Sequence, residues 1–129
     1  MDRDRIVITG IGVVAPNGVG KEAFLRNCAA GVSGIKPISL FSTQGYSCHE
    51  GGEIADLEAA AFLGGRGLRT LDRTTLFALV SAKLAMDDAG ITTSRETSKS
   101  VGVVLGSTMG SVHSISQFDV DGLREGPRY

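Results

Sequence analysis

The sequence predicts an α/β domain with a parallel sheet, on the basis of three observations. Residues 6–14 and 101–105 are apolar runs rich in β-branched side chains, and neither alternates with polar positions, which is typical of strands covered on both faces. Helical patterns lie between the two runs and after the second, an order that gives parallel strands joined by right-handed crossovers. The 18 glycines lie at the ends of these elements rather than in one low-complexity block.

The first run leads into a turn and then a helix. Gly10 and Gly12 interrupt the strand at points where a missing side chain lets another backbone approach closely. Residues 16–18, Pro-Asn-Gly, favour a turn, and residues 21–30 predict a short amphipathic helix. Cys28 lies on the apolar stripe of this helix, where we expect it to be a small core residue.

The rest of the chain predicts a long loop and three further helices. Residues 35–53 show no sustained period and predict a loop with at most a short extended segment, and residues 56–62 predict a short helix. Asp72 is a favourable N-cap for the clearest helix of the chain, which Gly90 closes in a left-handed conformation. A final helix is predicted over residues 112–124. Basic residues near the start of the third helix indicate a solvated turn: Arg66, Arg69 and Arg73.

Length and charge limit the possible functions. The 129 residues suffice for one domain, and a formal net charge of -1 argues against binding to nucleic acid or to a membrane surface. No apolar run approaches the roughly 20 residues of a membrane span, and the charged start leads into a strand rather than a signal peptide, so a cytoplasmic location is expected. Cys28 and Cys48 are expected to be free thiols, and neither they nor the two histidines fit a metal site.

Two stretches near the start are similar to nucleotide-binding loops. Residues 10–15, Gly-Ile-Gly-Val-Val-Ala, fit the dinucleotide fingerprint, but Pro16 precedes the helix and no acidic residue ends a second strand about 20 positions further on. Residues 15–22 are similar to a phosphate loop, but Glu22 stands where a serine or threonine would bind magnesium, and its carboxylate would repel phosphate. The phosphate loop is rejected, and a small dinucleotide-binding domain is the least favoured hypothesis.

Other polar residues allow a catalytic or binding interpretation and a simpler one. Cys48 and His49 are adjacent and seldom face each other as nucleophile and base, so a polar loop is the simpler interpretation. His113 is expected at the surface. Residues 106–111, Gly-Ser-Thr-Met-Gly-Ser, either bind an anion through backbone amides or form a close-packed turn between strand and helix, and the residues do not decide between these two.

Several blocks, taken in order, resemble the elongating branch of the β-ketoacyl-acyl-carrier-protein synthases, the condensing enzymes of fatty-acid and polyketide synthesis. The blocks cover essentially the whole chain and comprise residues 6–18, 30–35, 71–73, 87–91, 101–111 and 122–128. The resemblance implies that residues 1–129 form the N-terminal part of a thiolase-like fold, a layered mixed sheet with flanking helices. It also implies that the whole enzyme is usually a homodimer.

The resemblance further implies a decarboxylative condensation of malonyl-carrier with an acyl-enzyme, with an acyl carrier protein as partner. It places the catalytic cysteine and histidines of the family beyond Tyr129, so we assign no catalytic residue, no cofactor and no metal, and we expect the chain alone to be inactive. Counted from the glycine turn, Ile115 matches an apolar residue that lines the family's acyl-chain pocket, with Met109 close by. The alternative is that both are core residues of a helix start.

A second hypothesis is not enzymatic. It makes the chain a scaffold or partner subunit derived from a condensing enzyme, and it predicts binding to a separate synthase without acylation by the carrier. Under the leading hypothesis the two apolar runs lack their neighbouring strands, so their edges should be exposed and the chain should self-associate.

Overall fold

The computed structural model describes residues 5–126, which form four α-helices and two small sheets. The helices are α1 (Lys21–Ala29), α2 (Ala59–Leu63), α3 (Arg73–Asp88) and α4 (Val112–Glu125). The strands are β1 (Val14–Ala15), β2 (Gly18–Val19), β3 (Ile35–Pro37) and β4 (Glu50–Gly52). Short 3-10 helices lie at Leu68–Thr70 and Thr97–Ser100. The mixed α/β composition is therefore as predicted.

Both sheets are antiparallel pairs of very short strands. β1 pairs with β2 through Val14 and Val19, and Ile35 of β3 lies opposite Gly52 of β4. The prediction of a parallel sheet is wrong for the part of the chain that the structure describes, since every strand pair there is antiparallel. A parallel ladder needs two extended segments side by side, but within residues 5–126 the first run pairs only at its end, through Val14 with β2, and the second run has no strand partner.

The start of the first apolar run and the whole of the second are exposed rather than buried. Ile6 and Ile8 in the first run are 99% and 86% exposed, and Val103 and Val104 in the second are 89% and 101% exposed. The prediction that both runs are covered on both faces is therefore wrong within the described residues, where only residues 10 and 12–14 of the first run are partly covered. The expectation that their apolar edges are left uncovered is confirmed.

Helix α3 is the longest helix of the described residues, and α2 and β1 pack against it. The Asp72 carboxylate accepts a hydrogen bond from the Thr75 amide at 2.7 Å, which confirms the predicted N-cap. Val80, in the middle of α3, is fully buried, and Ala59 of α2 is 7% exposed. Gly90 follows the helix with a φ of 65°, the left-handed conformation predicted for it.

Gly10 and Gly12 let the first apolar run cross the backbone of α3. A Cβ atom built on Gly12 would lie 1.9 Å from the Ser81 carbonyl oxygen, and one built on Gly10 would lie 2.2 Å from that of Ala85. These distances are far below van der Waals contact, so only glycine fits at either position. The expectation of a close backbone approach is confirmed.

The predicted helices are all present, but the apolar stripe of α1 is not in a core. Cys28 is exposed and Leu25 is 57% exposed, so the expectation that Cys28 is a core residue is wrong. The reason is that no other part of residues 5–126 covers this side of α1. The Cys28 thiol is free, as predicted, and its sulfur accepts a hydrogen bond from the Asn17 side-chain amide at 3.3 Å.

The segment predicted as a loop, residues 35–53, contains the β3–β4 pair. Glu53, at its end, binds residues that follow β3. The Glu53 carboxylate accepts hydrogen bonds from the amide and the hydroxyl of Ser39 at 2.7 and 2.9 Å and from the Leu40 amide at 3.1 Å. These bonds, first of all the one from the Ser39 amide, hold the pKa of Glu53 below its ordinary value. Among the helices of the described residues, none is both long and apolar enough to cross a bilayer.

Candidate functional site

The glycine turn of residues 106–111 and helix α4 carry the two residues predicted to line an acyl-chain pocket. Met109 lies in the turn and is 76% exposed, and Ile115 lies in the first turns of α4 and is 58% exposed. Neither side chain is therefore buried by the described residues. Further exposed apolar side chains lie along α4: Val112, Phe118 and Leu123.

Ser111 joins the glycine turn to the start of α3. Its amide donates a hydrogen bond to Thr74 Oγ1 at 3.1 Å, and its hydroxyl donates one to Asp72 Oδ2. The other carboxylate oxygen of Asp72 caps α3 by accepting from the Thr75 amide. A single carboxylate therefore holds the N-terminal ends of both α3 and α4.

The charge of Asp72 is stabilised by these contacts. The hydrogen bond from Ser111 is the largest cause that holds the pKa of Asp72 below its ordinary value, and the bond from the Thr75 amide is the next. Asp72 is thus an ionised acceptor at neutral pH, and hydrogen bonds to an ionised group are stronger than those between neutral groups. The sequence predicted the cap but not the bond to Ser111, because the two residues are 39 positions apart.

The backbone of Ser111 is unusual. Its φ is 65°, in the left-handed region, and no other non-glycine residue among those described has a positive φ. Beside it, a Cβ atom on Gly110 would lie 3.0 Å from Thr74 Cγ2 and 2.9 Å from Ser107 Oγ. Of the two interpretations of residues 106–111, these contacts fit the close-packed turn, since the Ser111 amide is already bound to Thr74 and cannot receive an anion.

The glycines near the start of the chain do not form a dinucleotide site. The Ile11 amide, which lies between Gly10 and Gly12, donates to Asp88 Oδ2 at 2.9 Å, and Asp88 Oδ1 binds Lys21 Nζ. A pyrophosphate at this position would meet a carboxylate and the backbone of α3. The glycines serve packing against a helix, and the dinucleotide hypothesis is wrong.

The contacts of Asp88 predict a specific sensitivity to acid. The hydrogen bond from Lys21, and then that from the Ile11 amide, hold the pKa of Asp88 below its ordinary value. A carboxylate whose pKa is lower in the folded than in the unfolded state stabilises the fold above about pH 4, and this contribution is lost as the pH falls through the folded pKa. We therefore expect the stability of Asp88→Asn to depend less on pH in the acidic range than that of the unsubstituted chain.

The measurement is the urea midpoint at pH 6 and at pH 3. Between pH 6 and pH 3, the urea midpoint of Asp88→Asn should fall by less than that of the unsubstituted chain. Some of the fall remains in both proteins, because Asp72 and Glu53 are present in both. The matched control is Asp87→Asn, because Asp87 pairs with Lys83 of its own helix at 2.7 Å on the surface, and such a pair contributes little to stability. If the urea midpoint of Asp88→Asn fell as much as that of the unsubstituted chain, the role given to Asp88 would be contradicted.

The thiols and imidazoles are not arranged as a nucleophile and its base. The exposed Cys48 thiol donates to the Glu50 carbonyl oxygen at 3.3 Å, and His49 Nδ1 is 3.0 Å from Thr43 Oγ1. His113 is exposed on α4, as expected. Within residues 5–126 no group of three His, Cys, Asp or Glu side chains is placed to hold a metal ion. The described residues therefore do not form a catalytic pair of a nucleophile and a base.

A shallow cleft of about 340 Å³ lies between the two small sheets. Its polar side chains are Lys36, Ser39, Glu53 and Asp56, and Ala15, Pro16 and Val19 contribute to its apolar wall. The Glu53 carboxylate accepts three hydrogen bonds from Ser39 and Leu40, which occupy most of its acceptor capacity. The sequence had no signal for this cleft, which arises from two turns that are distant along the chain.

Comparison with protein families gives a match along almost the whole chain. Residues 3–127 match the family model of the beta-ketoacyl synthase, N-terminal domain. The chain is 43% identical over 99 residues to the tetracenomycin polyketide synthase ketoacyl synthase beta subunit of Streptomyces glaucescens, covering 77% of this chain and 24% of that protein. It is 34% identical over 128 residues to the 3-oxoacyl-[acyl-carrier-protein] synthase 2 of Coxiella burnetii, covering 99% of this chain and 31% of that protein.

A solved structure shows the same fold. The ishigamide ketosynthase/chain length factor superposes on the chain with a TM-score of 0.76 at 30% sequence identity, over 93% of this chain and 30% of that one. The N-terminal part of a thiolase-like fold is thereby confirmed. In each of these three comparisons the chain spans less than a third of the relative's length.

Proposed function

Since this chain belongs to the β-ketoacyl synthase family, through that family's N-terminal domain, we propose that it supplies the N-terminal part of a condensing enzyme. The reaction of that enzyme is the decarboxylative condensation of malonyl-carrier with an acyl-enzyme, in fatty-acid or polyketide synthesis. Residues 1–129 are one unit of it, and the nucleophile and the histidines of the reaction come from other parts of the enzyme. The match of residues 3–127 to the family carries the proposal.

The exposed apolar runs support this function. Ile6, Ile8, Val103 and Val104 are strand-forming residues with almost no cover in the described part of the chain. A sheet that continues into the rest of a synthase would bury them and pair their backbones. These runs are therefore suited to the interior of a larger fold, in agreement with the share of each relative that the chain spans.

Partner, location and pocket follow from the same proposal. An acyl carrier protein delivers both substrates of such a condensation, and the Coxiella burnetii relative carries this protein in its name. The enzyme acts as a homodimer in the cytoplasm. Met109 and Ile115, both apolar and both exposed near the start of α4, line the pocket for the acyl chain.

A second candidate function is that of a non-catalytic partner subunit. One observation favours it: the identity to the tetracenomycin relative, which is named a beta subunit, is 43%, against 34% for the synthase 2 of Coxiella burnetii. In this case the unit assists a separate synthase and does not take part in condensation itself.

A chimera distinguishes the two functions. The full 129-residue chain replaces the matched region of the Coxiella burnetii synthase and is joined in frame to the remainder of that protein. We expect the chimera to form 3-oxoacyl-carrier from acyl-carrier and malonyl-carrier, and the 129-residue chain alone to form none. The measurements are product formation and malonyl-carrier decarboxylation, with the intact synthase and the synthase without its matched region as controls.

If the chain is a partner subunit, we expect the chimera to be inactive and the free chain to bind a synthase. A folded chimera without condensing activity, together with tight binding of the free chain to an intact synthase of the family, would favour the partner subunit. Binding is measured by titration calorimetry, and folding of the chimera by its cooperative thermal transition.

A further inference from the structure

The turn between β1 and β2 contains Asn17 followed by Gly18, a pair whose chemistry the proposed function does not use. In such a pair the glycine backbone nitrogen can attack the side-chain carbonyl carbon of asparagine, Cγ, because glycine has no side chain to hinder the approach. An N–Cγ bond forms, the Cγ–Nδ2 bond breaks, and the amide proton of glycine leaves with the side-chain nitrogen as ammonia. Water then opens the resulting succinimide to aspartate, or to isoaspartate, whose backbone is longer by a CH2 group.

Two residues of α1 hold the reacting groups of this pair, and we call Asn27 and Cys28 the α1 clamp. The Asn17 side-chain nitrogen, Nδ2, donates a hydrogen bond to Cys28 Sγ at 3.3 Å, so the side chain is directed at α1. The Asn17 carbonyl oxygen accepts a hydrogen bond from the Asn27 side-chain amide. That carbonyl belongs to the same planar peptide unit as the Gly18 nitrogen, so the Asn27 bond fixes the orientation of the attacking atom.

The backbone around the pair is enclosed on two sides. A Cβ atom built on Gly18 would lie 2.7 Å from the Phe24 amide nitrogen, which shows how closely the turn approaches α1. A Cβ atom built on Gly34 would lie 2.8 Å from the Asn17 amide nitrogen, on the other side of the turn. The peptide unit between Asn17 and Gly18 therefore cannot rotate for ring closure unless the turn first separates from these neighbours.

We propose that Asn17–Gly18 is a site of spontaneous deamidation that the α1 clamp holds closed. Every contact behind this inference lies within residues 16–34, and the inference is independent of the proposed function. The products no longer fit the turn: a carboxylate at position 17 has no hydrogen to donate to Cys28, and the longer backbone of isoaspartate has no room beside Gly34. Deamidation therefore loosens the turn from α1 and marks the chain covalently.

The test follows the loss of intact Asn17 by peptide mass spectrometry, with the 129-residue chain kept at about pH 8 in buffer and in urea. The chain in urea gives the rate of the unprotected pair. We expect the loss in buffer to be at least about tenfold slower, as for a reaction that requires local opening of the fold. Equal rates in buffer and in urea would overturn the proposal.

Single substitutions test the clamp itself. We expect Asn27→Ala to speed the loss in buffer about fivefold and Cys28→Ala about threefold, since each removes a hydrogen bond and sulfur is the weaker partner. The matched control is Cys48→Ala, because the Cys48 thiol bonds to the Glu50 carbonyl oxygen in the other hairpin. Its rate should equal that of the unsubstituted chain.

A second control separates release of the clamp from general unfolding. Val80→Ala removes buried atoms from the middle of α3 and lowers stability without touching the turn. The folded fraction of each variant, measured by its urea transition, is used to subtract the loss that passes through the unfolded chain. After this correction, faster loss in both clamp variants, with Cys48→Ala and Val80→Ala unchanged, supports the proposal. Unchanged rates in the clamp variants, or an equal acceleration by Val80→Ala, would overturn it.

Discussion

Gly12→Ala should destabilise the 129-residue chain by about 3 kcal/mol, the upper part of the range for an overpacked contact. The new methyl group would lie 1.9 Å from the Ser81 carbonyl oxygen and 2.6 Å from the Ala85 amide nitrogen. Both are backbone atoms of α3, so no side-chain rotation relieves the clash, and either the first apolar run detaches or the helix shifts. Urea unfolding followed by circular dichroism measures the loss.

The matched control is Gly102→Ala, in the second apolar run. A Cβ atom on Gly102 would meet nothing within 4 Å, and the backbone there does not require glycine. The change in its free energy of unfolding should stay within about 0.5 kcal/mol, as for an unrestricted surface site. Equal unfolding midpoints for Gly12→Ala and Gly102→Ala would show that the run does not cross α3 as described.

Self-association of the 129-residue chain is the second large effect that we expect. Ile6, Ile8, Val103 and Val104 expose apolar side chains on segments without a strand partner, and such edges pair with those of other copies. Replacing Ile8 and Val104 together by lysine puts a charge on each edge. We expect the dissociation constant of the associated form to rise at least about tenfold, a change of about 1.4 kcal/mol.

Sedimentation velocity over a range of concentrations measures the association. The control pair is Leu40→Lys with Tyr46→Lys, which removes two exposed apolar side chains and adds the same charge in the loop between β3 and β4. This pair should associate like the unsubstituted chain. Monomeric behaviour of the unsubstituted chain, or an equal effect of both pairs, would refute the assignment of the edges as the associating surface.

Local signals in the sequence were sufficient for the helices. The N-cap at Asp72 and the left-handed Gly90 delimit α3 because both act on backbone groups within a few residues of themselves. The same holds for α1, whose predicted and observed bounds differ by one residue. The predicted parallel sheet was wrong for residues 5–126, because strand pairing depends on which extended segments meet in the fold, and there both small sheets are antiparallel.

The candidate site was predictable only in part. Met109 and Ile115 came from a resemblance to a family, and their role in the pocket stays a prediction. The hydrogen bond between Ser111 and Asp72 could not be predicted from the sequence. The two residues are 39 positions apart, and the bond depends on where two helices meet. The assignment to the condensing enzymes came from ordered blocks along the whole chain rather than from any single motif.

The sequence by itself determined the family, the helices and the glycines that must approach another backbone, because each of these depends on residue type and short spacing. Only the tertiary structure decided what Gly10 and Gly12 approach, which is α3 and the residue after it, and which acid binds the Ile11 amide, which is Asp88. It also decided that the start of the first apolar run and the second run are exposed, and that one carboxylate joins α3 to α4. All of these features depend on contacts between residues that are remote in sequence, or on the lack of such contacts, and so on how the elements pack.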